Sequence, residues 1–329
     1  MVNNNRNIIR AQNTTDIKRA LYKKGRAVAS EIGDEINVSM VTIHSIIKDL
    51  LKEGSITEGE PIQKSVGRPA LEYIFNYDYQ LSLHLSLLQA NGKGTLIGEV
   101  VNLAGVVKEQ VSVPLVDHSQ NELAKLIKRT YNQFSYVDNI GIMIPGKIHK
   151  GKVLSGWEGL IQGWDMEKSI REYTDKPLSI QNDANLITVG YCISNDIPQS
   201  EMVIGIYYPT YSHPGISIYT HGSLIQGRDS LAGEAKYFPE LMYNKQPVNF
   251  EEVMHHMLKF LPFYNAALAP HRFILILDHE PYLEEELTAT FNQVLTDQIN
   301  HPKFDYIQNF FPMSRVGLHW LIYKDSLYE

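Results

Sequence analysis

The sequence has little cysteine and lacks any long apolar run. Its 329 residues include one cysteine, Cys192, which excludes an intrachain disulfide and a cysteine-rich zinc site. No apolar stretch approaches the roughly 20 residues that a membrane-spanning helix needs. The first residues, MVNNNRNIIRAQN, have no hydrophobic segment like that of a secretory signal. We therefore expect a cytoplasmic protein with no membrane contact, no metal and no cofactor.

The stretch 37–54 has the pattern of an amphipathic helix with a marked start and end. Its apolar residues recur at intervals of three and four positions, as on one helical face; they are Val38, Val41, Ile43, Ile46, Ile47, Leu50 and Leu51. Ser39 stands at the N-cap position, and Gly54 follows the last periodic residue. A shorter helix is predicted at 27–36. This pattern predicts a helix-turn-helix whose recognition helix covers residues 39–53.

The flanking segments predict the rest of a small head. Residues 15–22 read as its first helix, with Thr14 or Thr15 as the cap. Residues 55–64 and 71–75 would form a two-stranded wing. The alternative is an ordinary helical hairpin that caps a larger domain. Charge argues against that alternative, because residues 1–26 hold seven basic residues and one acid, whereas the whole chain carries a formal charge of −7.

The predicted recognition helix carries side chains suited to DNA on its polar face. Short neutral or basic side chains can approach base edges and phosphates, and those on the helix are Ser39, Met40, Thr42, His44, Ser45 and Lys48. Lys64 in the wing and Arg68 after it complete the predicted DNA-binding set. Arg68 is placed to reach phosphates or a narrow minor groove, or it is a plain linker arginine.

Beyond residue 80 the periodicity changes to that of strands. A three-strand meander followed by alternating helices and strands occurs twice, which predicts two related α/β lobes. The predicted domains are a winged helix-turn-helix at 1–75, a first lobe at 76–195 and a second lobe at 196–311. The C-terminal helix, 312–329, is expected to pack back on the first lobe. A cleft between lobes is the usual place for a small ligand.

Short motifs along the chain resemble those of the ROK family of repressors, open reading frames and kinases. They are Gly67-Arg68-Pro69-Ala70 after the predicted helix-turn-helix, and the segments 141–146, 160–164, 182–185, 221–224 and 231–234. In this order and spacing they are fairly specific, and the resemblance covers nearly the whole chain. It is similar in particular to the xylose and N-acetylglucosamine repressor types. The resemblance implies an N-terminal winged helix followed by a two-lobed actin-like (ribonuclease H-like) sugar domain, usually dimeric.

The sequence departs from the family pattern at the elements that bind nucleotide and zinc. The acid and glycines of the first phosphate loop are missing at residues 84–88, and the glycines of the second are missing at 209–214. Without glycine, backbone N–H groups cannot easily approach phosphate oxygens. The Gly-Gly expected to cover the nucleotide is replaced by Asp278-His279-Glu280. Residues 238–249 lack the cysteines of the family's zinc motif. We expect no kinase activity and no catalytic residues.

The resemblance implies a sugar site at Asn182, Asp183 and Glu234, with Tyr237 at the position of the family's histidine. Carboxylates and amides together can recognise neighbouring hydroxyls. Asp183 could instead cap the helix that follows it, and one of the two neighbours could cap while the other binds. Lys236 replaces the family's glycine, and it would pair with Glu234 or suit an acidic or phosphorylated sugar.

These observations predict a dimeric, sugar-responsive transcriptional regulator of carbohydrate genes, most simply a repressor. Two heads would read a pseudo-palindromic double-stranded DNA operator, and a sugar or sugar derivative would act as effector. Two alternatives stay open. In one, the ROK body has lost sugar binding and serves as a dimerisation or partner-docking module. In the other, the chain is a ROK sugar kinase with a DNA-binding appendage.

Overall fold

The structure is a computed structural model that describes residues 2–63, 69–90, 93–117, 119–156, 161–209, 213–238, 241 and 246–329. The chain divides into two units. The head unit comprises Met1–Ser82, Val100–Glu109 and Tyr323–Glu329, and the body unit comprises Leu83–Glu99 and Gln110–Ile322. None of the helices in the described part of the chain is long and apolar enough to cross a membrane.

The head unit begins with three helices and a three-stranded antiparallel sheet. In chain order these are α1 (Val2–Lys24), β1 (Arg26–Val28), α2 (Ala29–Ile36), α3 (Met40–Glu53), β2 (Ile56–Ile62) and β3 (Ala70–Phe75). The strand order is β1-β3-β2, so β3 is central. Side chains from all three helices and from β3 form the core, and each is at most 2% exposed: Ile17, Leu21, Ile32, Ile43, Ile46, Ile47, Leu50 and Phe75.

α3 begins and ends where the sequence predicts. Ser39 Oγ accepts a hydrogen bond from the Thr42 N–H at 3.4 Å. Gly54 adopts the left-handed backbone (φ 86°), and its N–H donates to the carbonyls of Leu50 and Leu51. α2 ends at Asn37, which is also left-handed (φ 53°) and is one of the few residue types that tolerate this conformation. The predicted helix at 39–53 and both of its caps are confirmed.

Three predictions in the head were wrong. α1 starts far ahead of residue 15, so Thr14 and Thr15 lie inside it, and their hydroxyls donate to the carbonyls of Arg10 and Ala11. The polar residues before Thr14 have no apolar periodicity that could reveal this extension. Ala27 belongs to β1 and pairs with Tyr73 of β3 instead of starting α2. Val41 was assigned to the apolar face but is 82% exposed, since nine positions from Leu50 is two and a half turns.

The remaining helices and strands follow from residue 81. They are β4 (Leu81–Ala90), β5 (Lys93–Asn102), β6 (Val107–Pro114), α4 (Gln120–Gln133), β7 (Asn139–Ile144), β8 (Lys147–His149), β9 (Lys152–Ser155), α5 (Met166–Arg171), β10 (Leu178–Asn182), α6 (Asp183–Ser194), β11 (Val203–Tyr208), β12 (Gly215–Thr220), β13 (Ser223–Leu224), α7 (Phe250–Leu268), β14 (Arg272–Leu277), α8 (Glu284–Val294), β15 (Lys303–Tyr306) and α9 (Phe311–Tyr323). They build two five-stranded sheets, ordered β10-β7-β4-β5-β6 and β13-β12-β11-β14-β15. The predicted three-strand meander is present in β4–β6.

Helices α6 and α9 pack with their backbones in contact. A Cβ atom at Gly190 of α6 would collide with the Met313 carbonyl, and one at Gly317 of α9 would collide with the Leu186 carbonyl. Below α9, Arg315 of α9 also donates through Nε to Glu99 of β5 at 2.9 Å. The close approach holds the C-terminal helix against the helix that starts at the predicted sugar site. The domain boundaries at 75/76 and 195/196 stay predictions.

Two features of the body bear on the sequence predictions. Residues 84–88, compared above with the first phosphate loop, lie inside β4, as the alternation after residue 80 predicts, and His84 is 1% exposed. Residues 91–92, between β4 and β5, lie outside the described part of the chain. The hairpin of β8 and β9 was not predicted, because these strands are too short to show a period.

Candidate DNA-facing helix and candidate ligand site

The predicted DNA-facing residues of α3 lie on its solvent side. Ser39, His44, Ser45 and Lys48 are exposed, Met40 is 42% exposed, and Thr42 is half-buried at the edge. Val41, which the sequence analysis assigned to the core, lies near the centre of this face. Lys64 and Arg68 fall outside the described residues. We call the outward side of α3 the outer face.

α1 brings a further basic side chain to the outer face. The Arg10 guanidinium donates to Ser45 Oγ at 3.2 Å and forms an ion pair with the Asp49 carboxylate. This contact was not predicted, because α1 was not expected to extend so far. Asp49 also shows that the outer face includes an acid, and Arg10 balances its charge.

Much of the positive charge at the start of the chain is neutralised within the head. Five of the seven basic residues before residue 27 form ion pairs with carboxylates, namely Arg10, Lys18, Arg19, Lys24 and Arg26. Lys18, for example, donates to both oxygens of Glu53 at 2.9 and 3.0 Å. The local electropositive field is therefore weaker than the residue count predicts. Lys48 and Lys52 on α3 are exposed.

At the predicted sugar site, two neighbouring residues have different hydrogen-bonding roles. Asn182 Oδ1 accepts the Asn185 N–H at 2.8 Å, so Asn182 is the N-cap of α6. Asp183 Oδ1 accepts the Ala184 N–H at 2.8 Å. The amide oxygen of Asn182 is thus used by the helix. The carboxylate of Asp183 remains the better candidate to meet a ligand.

Two glycines bring Glu234 close to the start of α6. Gly215 opens β12, and a Cβ atom there would collide with the Ala184 side chain. Gly215 also forms an isolated antiparallel bridge with Glu234. Gly233 has a positive φ of 73°, and its Cα faces the Ile216 carbonyl, where a side chain would collide. Only glycine allows these close approaches, which set Glu234 near Asp183.

Lys236 and Tyr237 take different positions beside Glu234. Lys236 Nζ lies 3.8 Å from Glu234 Oε1, as one of the two predicted roles requires. The same ammonium sits 5.1 Å from the centre of the Tyr237 ring. Tyr237 itself is 60% exposed, and its role as a ligand-binding residue stays a prediction. The pKa of His213 is lowered by desolvation and by Lys236, while Glu234 opposes this shift.

Lys147 is a site residue that the sequence analysis missed. It begins β8, is 7% exposed, and its Nζ donates to the Ala232 carbonyl at 2.6 Å. Burial lowers the pKa of Lys147, and the nearby carboxylates of Glu234 and Asp183 oppose the shift. Its position after Pro145-Gly146, at the carboxyl end of β7, is where ligands gather in open α/β sheets. That position was the available signal.

Burial also controls the protonation of Asp183. It raises the pKa of this carboxyl to about 7, although the Ala184 N–H and Lys147 pull it down. Near neutral pH, Asp183 is therefore divided between its acid and carboxylate forms. We call the group of Lys147, Asp183, Glu234 and Lys236 the charged pocket. Among the described residues, no cluster of histidine, cysteine, aspartate or glutamate could hold a metal ion.

Comparison with known proteins finds similarity to ROK proteins over part of this chain. Residues 99–237 match the ROK family. The xylose repressor of Bacillus subtilis (strain 168) is 22% identical over 229 residues, which cover 66% of this chain and 57% of the repressor. The matched part thus spans little more than half of that relative's length. The resemblance to ROK-family regulators is confirmed, and the family match lies within residues 99–237.

Solved structures with the same fold include a regulator and kinases. A ROK family transcriptional regulator, a homologue of the E. coli MLC protein, has a TM-score of 0.66 at 17% identity and covers 97% of both chains. A putative N-acetylmannosamine kinase from Listeria monocytogenes has a TM-score of 0.57 at 13% identity, covering 75% of this chain and 99% of its own. The ROK hexokinase from Thermus thermophilus has a TM-score of 0.54 at 13% identity, with the same coverage. The predicted α/β fold is confirmed.

Proposed function

We propose that this protein is a sugar-responsive, DNA-binding transcriptional regulator without kinase activity. In this proposal the head is a winged helix-turn-helix, with α3 as recognition helix and the β2–β3 hairpin as wing. The observation that carries it is the outer face of α3, where Met40, Val41, His44 and Lys48 stand outward from a well-capped helix. A helix presented in this way fits the major groove.

The similar proteins support a regulator more than a kinase. The regulator structure matches over 97% of this chain, whereas the two kinase structures match over 75%. The additional 22% of the chain, roughly 72 residues, is about as long as the segment from α1 to β3. A xylose repressor is also similar in sequence. As with other helix-turn-helix regulators, we propose a homodimer that reads a pseudo-palindromic operator.

The charged pocket is the proposed effector site. Asp183 and Glu234 offer carboxylate oxygens to sugar hydroxyls, and Lys147 and Lys236 offer donors. A sugar bound here would change DNA binding only through its different affinity for the DNA-bound and free conformations. Asn182 would support the site by capping α6, and Tyr237 would lie at its exposed rim.

The kinase alternative is the weaker one. Asp278, His279 and Glu280 follow β14 in place of the glycines that cover a nucleotide. The segment 209–214, which corresponds to the second phosphate loop, contains no glycine. An acidic pair after a strand repels phosphate, and bulky residues keep the backbone N–H groups away from it. These two departures favour a regulator that binds no ATP.

DNA binding is tested by selecting operator sequences from a random pool with the full chain. Replacing Lys48 with Ala should weaken binding to all selected sites and reduce the slope of log affinity against log salt by about 1. Lys125, an exposed lysine of α4 in the body, provides the matched control, and Lys125→Ala should change neither quantity. If no duplex is enriched, or if Lys48→Ala keeps affinity and slope, the proposed role of α3 is wrong.

Effector binding is tested by thermal shift with pentoses, hexoses, amino sugars and acidic sugars, with ATP in separate wells. A ligand at about 100 times its Kd stabilises the folded state by roughly 2.7 kcal/mol. We expect a shift with one class of sugar, none with ATP, and loss of the sugar shift in Asp183→Ala. Specific DNA binding with no shift for any sugar would favour the docking-module alternative. A shift with ATP would favour the kinase.

A further inference from the structure

We propose that the charged pocket binds a monosaccharide bearing an anionic group, a carboxylate or a phosphate ester, and that Lys147 binds this group. The proposal rests on the proposed function, because it takes the pocket to be the effector site. It adds Lys147 as the residue that binds the anionic group, and it commits to the charged sugar that Lys236 alone had left open. Lys147 was not among the motif residues of the family resemblance.

The first support is the incomplete hydrogen bonding of a buried ammonium. Lys147 is 7% exposed, and an ammonium has three N–H donors. Within the described residues, its only hydrogen bond goes to the carbonyl of Ala232, at 2.6 Å. A buried charge is costly unless its donors are used and its charge is balanced. Lys147 therefore has donors available for an acceptor inside the pocket.

The second support is the missing counter-charge. The described part of the chain places no carboxylate oxygen at ion-pair distance from Lys147, although Asp183 and Glu234 are close enough to affect its pKa. Glu234 instead pairs with Lys236 at 3.8 Å. An anionic ligand would supply the counter-charge. Hydrogen bonds between charged groups are also roughly twice as strong as those between neutral groups, so Lys147 would discriminate against a neutral sugar.

The third support is the balance of charge over the whole pocket. Lys147 and Lys236 contribute two positive charges, and Glu234 contributes one negative charge. Burial keeps Asp183 partly in its neutral form near pH 7. The pocket is then neutral to weakly positive, although two of its four ionisable residues are acids. Such a pocket accepts an anionic ligand without repulsion, and the acids can still bind hydroxyls.

The position of Lys147 places its donors where a ligand would lie. Its backbone lies directly after the Pro145-Gly146 turn, and the bond to Ala232 fixes the ammonium beside the segment that carries Glu234. Gly215 and Gly233 bring the same segment against the start of α6. Asp183, Glu234 and Lys147 therefore converge from three different elements. In contrast, Lys152 on the neighbouring strand β9 is exposed.

The experiment compares sugars that differ in charge, using the full chain. Thermal shift and calorimetry are run with D-glucose against D-glucuronate and D-glucose 6-phosphate, with D-galactose against D-galacturonate, and with inorganic phosphate alone. We expect at least one acidic sugar to bind and its neutral counterpart to bind at least about tenfold more weakly, from the usual strength of a charged hydrogen bond. Comparing the uronates with D-glucose 6-phosphate shows whether the site prefers a carboxylate or a phosphate ester.

Variants then test Lys147 itself. Lys147→Met should weaken the acidic sugar at least about tenfold, Lys147→Arg should retain part of the affinity, and Lys152→Met should match the wild type. The melting temperature of each variant without ligand reports folding, and the comparison of sugars on the wild type needs no variant. Equal binding of neutral and acidic sugars overturns this inference but leaves the proposed function.

Three further outcomes would contradict the inference about Lys147. A gain of neutral-sugar binding in Lys147→Met would show that Lys147 blocks the site, which overturns the inference. Inorganic phosphate that binds as tightly as the sugar phosphate would show a simple anion site. If neither neutral nor acidic sugar binds while operator binding persists, both this inference and the effector part of the proposed function are wrong.

Discussion

The Arg10 guanidinium on α1 contacts both the Ser45 hydroxyl and the Asp49 carboxylate on α3. This contact ties the extended part of α1 to the outer face, and it neutralises an acid there. Without Arg10, Asp49 would present an uncompensated negative charge beside the residues proposed to meet DNA phosphates. The start of the chain therefore contributes to the outer face through one side chain.

Replacing Arg10 with Ala should weaken operator binding, because Asp49 would then repel the phosphates. We expect roughly fivefold, about 1 kcal/mol, since the pair is exposed and screened by solvent. Asp49→Ala combined with Arg10→Ala should recover most of the lost affinity in a fluorescence-anisotropy titration. If the two changes are simply additive, Asp49 is not the reason for the effect of Arg10. The thermal stability of each variant serves as the control for folding.

Val41 should contact the methyl group of a thymine in the operator. Its side chain is 82% exposed on the outer face, and apolar side chains commonly contact the thymine methyl group in the major groove. We expect Val41→Ala to lose roughly 1 kcal/mol on a selected operator, and to lose nothing further when deoxyuridine replaces the contacted thymine. Val116, 94% exposed in the body, gives the control Val116→Ala. Equal losses on thymine and deoxyuridine would exclude the methyl contact.

Asp183 should make stability depend on pH. Its pKa is about 7 in the folded protein against about 3.9 in an unfolded chain, so the folded state binds more protons between these values. Its stabilising contribution is complete below about pH 4 and is lost as pH rises through 7. Asp183→Asn removes this loss. Its melting temperature should therefore match the wild type near pH 4 and exceed it by at least ~2 °C at pH 8.

The control for this pH effect is Asp297→Asn, since Asp297 is exposed in the body. Its melting temperature should keep the same difference from the wild type between pH 6 and pH 8. If the difference between Asp183→Asn and the wild type is also constant from pH 4 to pH 8, Asp183 is ionised throughout. The pocket would then be more negative than the further inference requires.

Gly190→Ala should destabilise the body markedly. A Cβ atom at this position would collide with the Met313 carbonyl, so α6 and α9 must separate. Overpacking of this kind typically costs 1–3 kcal/mol, roughly. Ser194, exposed on the same helix, gives the control Ser194→Ala, which should stay within about 0.5 kcal/mol. Urea unfolding followed by circular dichroism measures the free energy of unfolding of both variants. If Gly190→Ala loses no more stability than Ser194→Ala, the close packing is refuted.

The predictions that succeeded depend on local patterns. α3 could be located to within one residue because Ser39, its apolar spacing and Gly54 all act within a few positions of one another. The ROK motifs are equally local, and they revealed the fold because their order follows the order of the strands. The extension of α1 ahead of residue 15 was not predicted, because the first half of this helix is polar and shows no apolar periodicity.

The site could be predicted only in part. Sequence motifs pointed to Asn182, Asp183 and Glu234, and only the helix cap at Asn182 separates the roles of the first two. Lys147 was missed, because a lysine after a turn is normally a solvated residue. Its importance comes from burial beside Ala232, which lies 85 positions further along the chain.

By itself, the sequence determined the short-range features of this protein: the caps of α3, the alternation of the strands and the turns that require glycine. These depend on dihedral preferences and on hydrogen bonds between near neighbours, which a few adjacent residues fix. The tertiary structure alone decided which charges are balanced and which are not. Arg10 reaches Asp49, and Lys147 lies buried near Asp183, because charge balance and burial depend on residues that only the folded chain brings together.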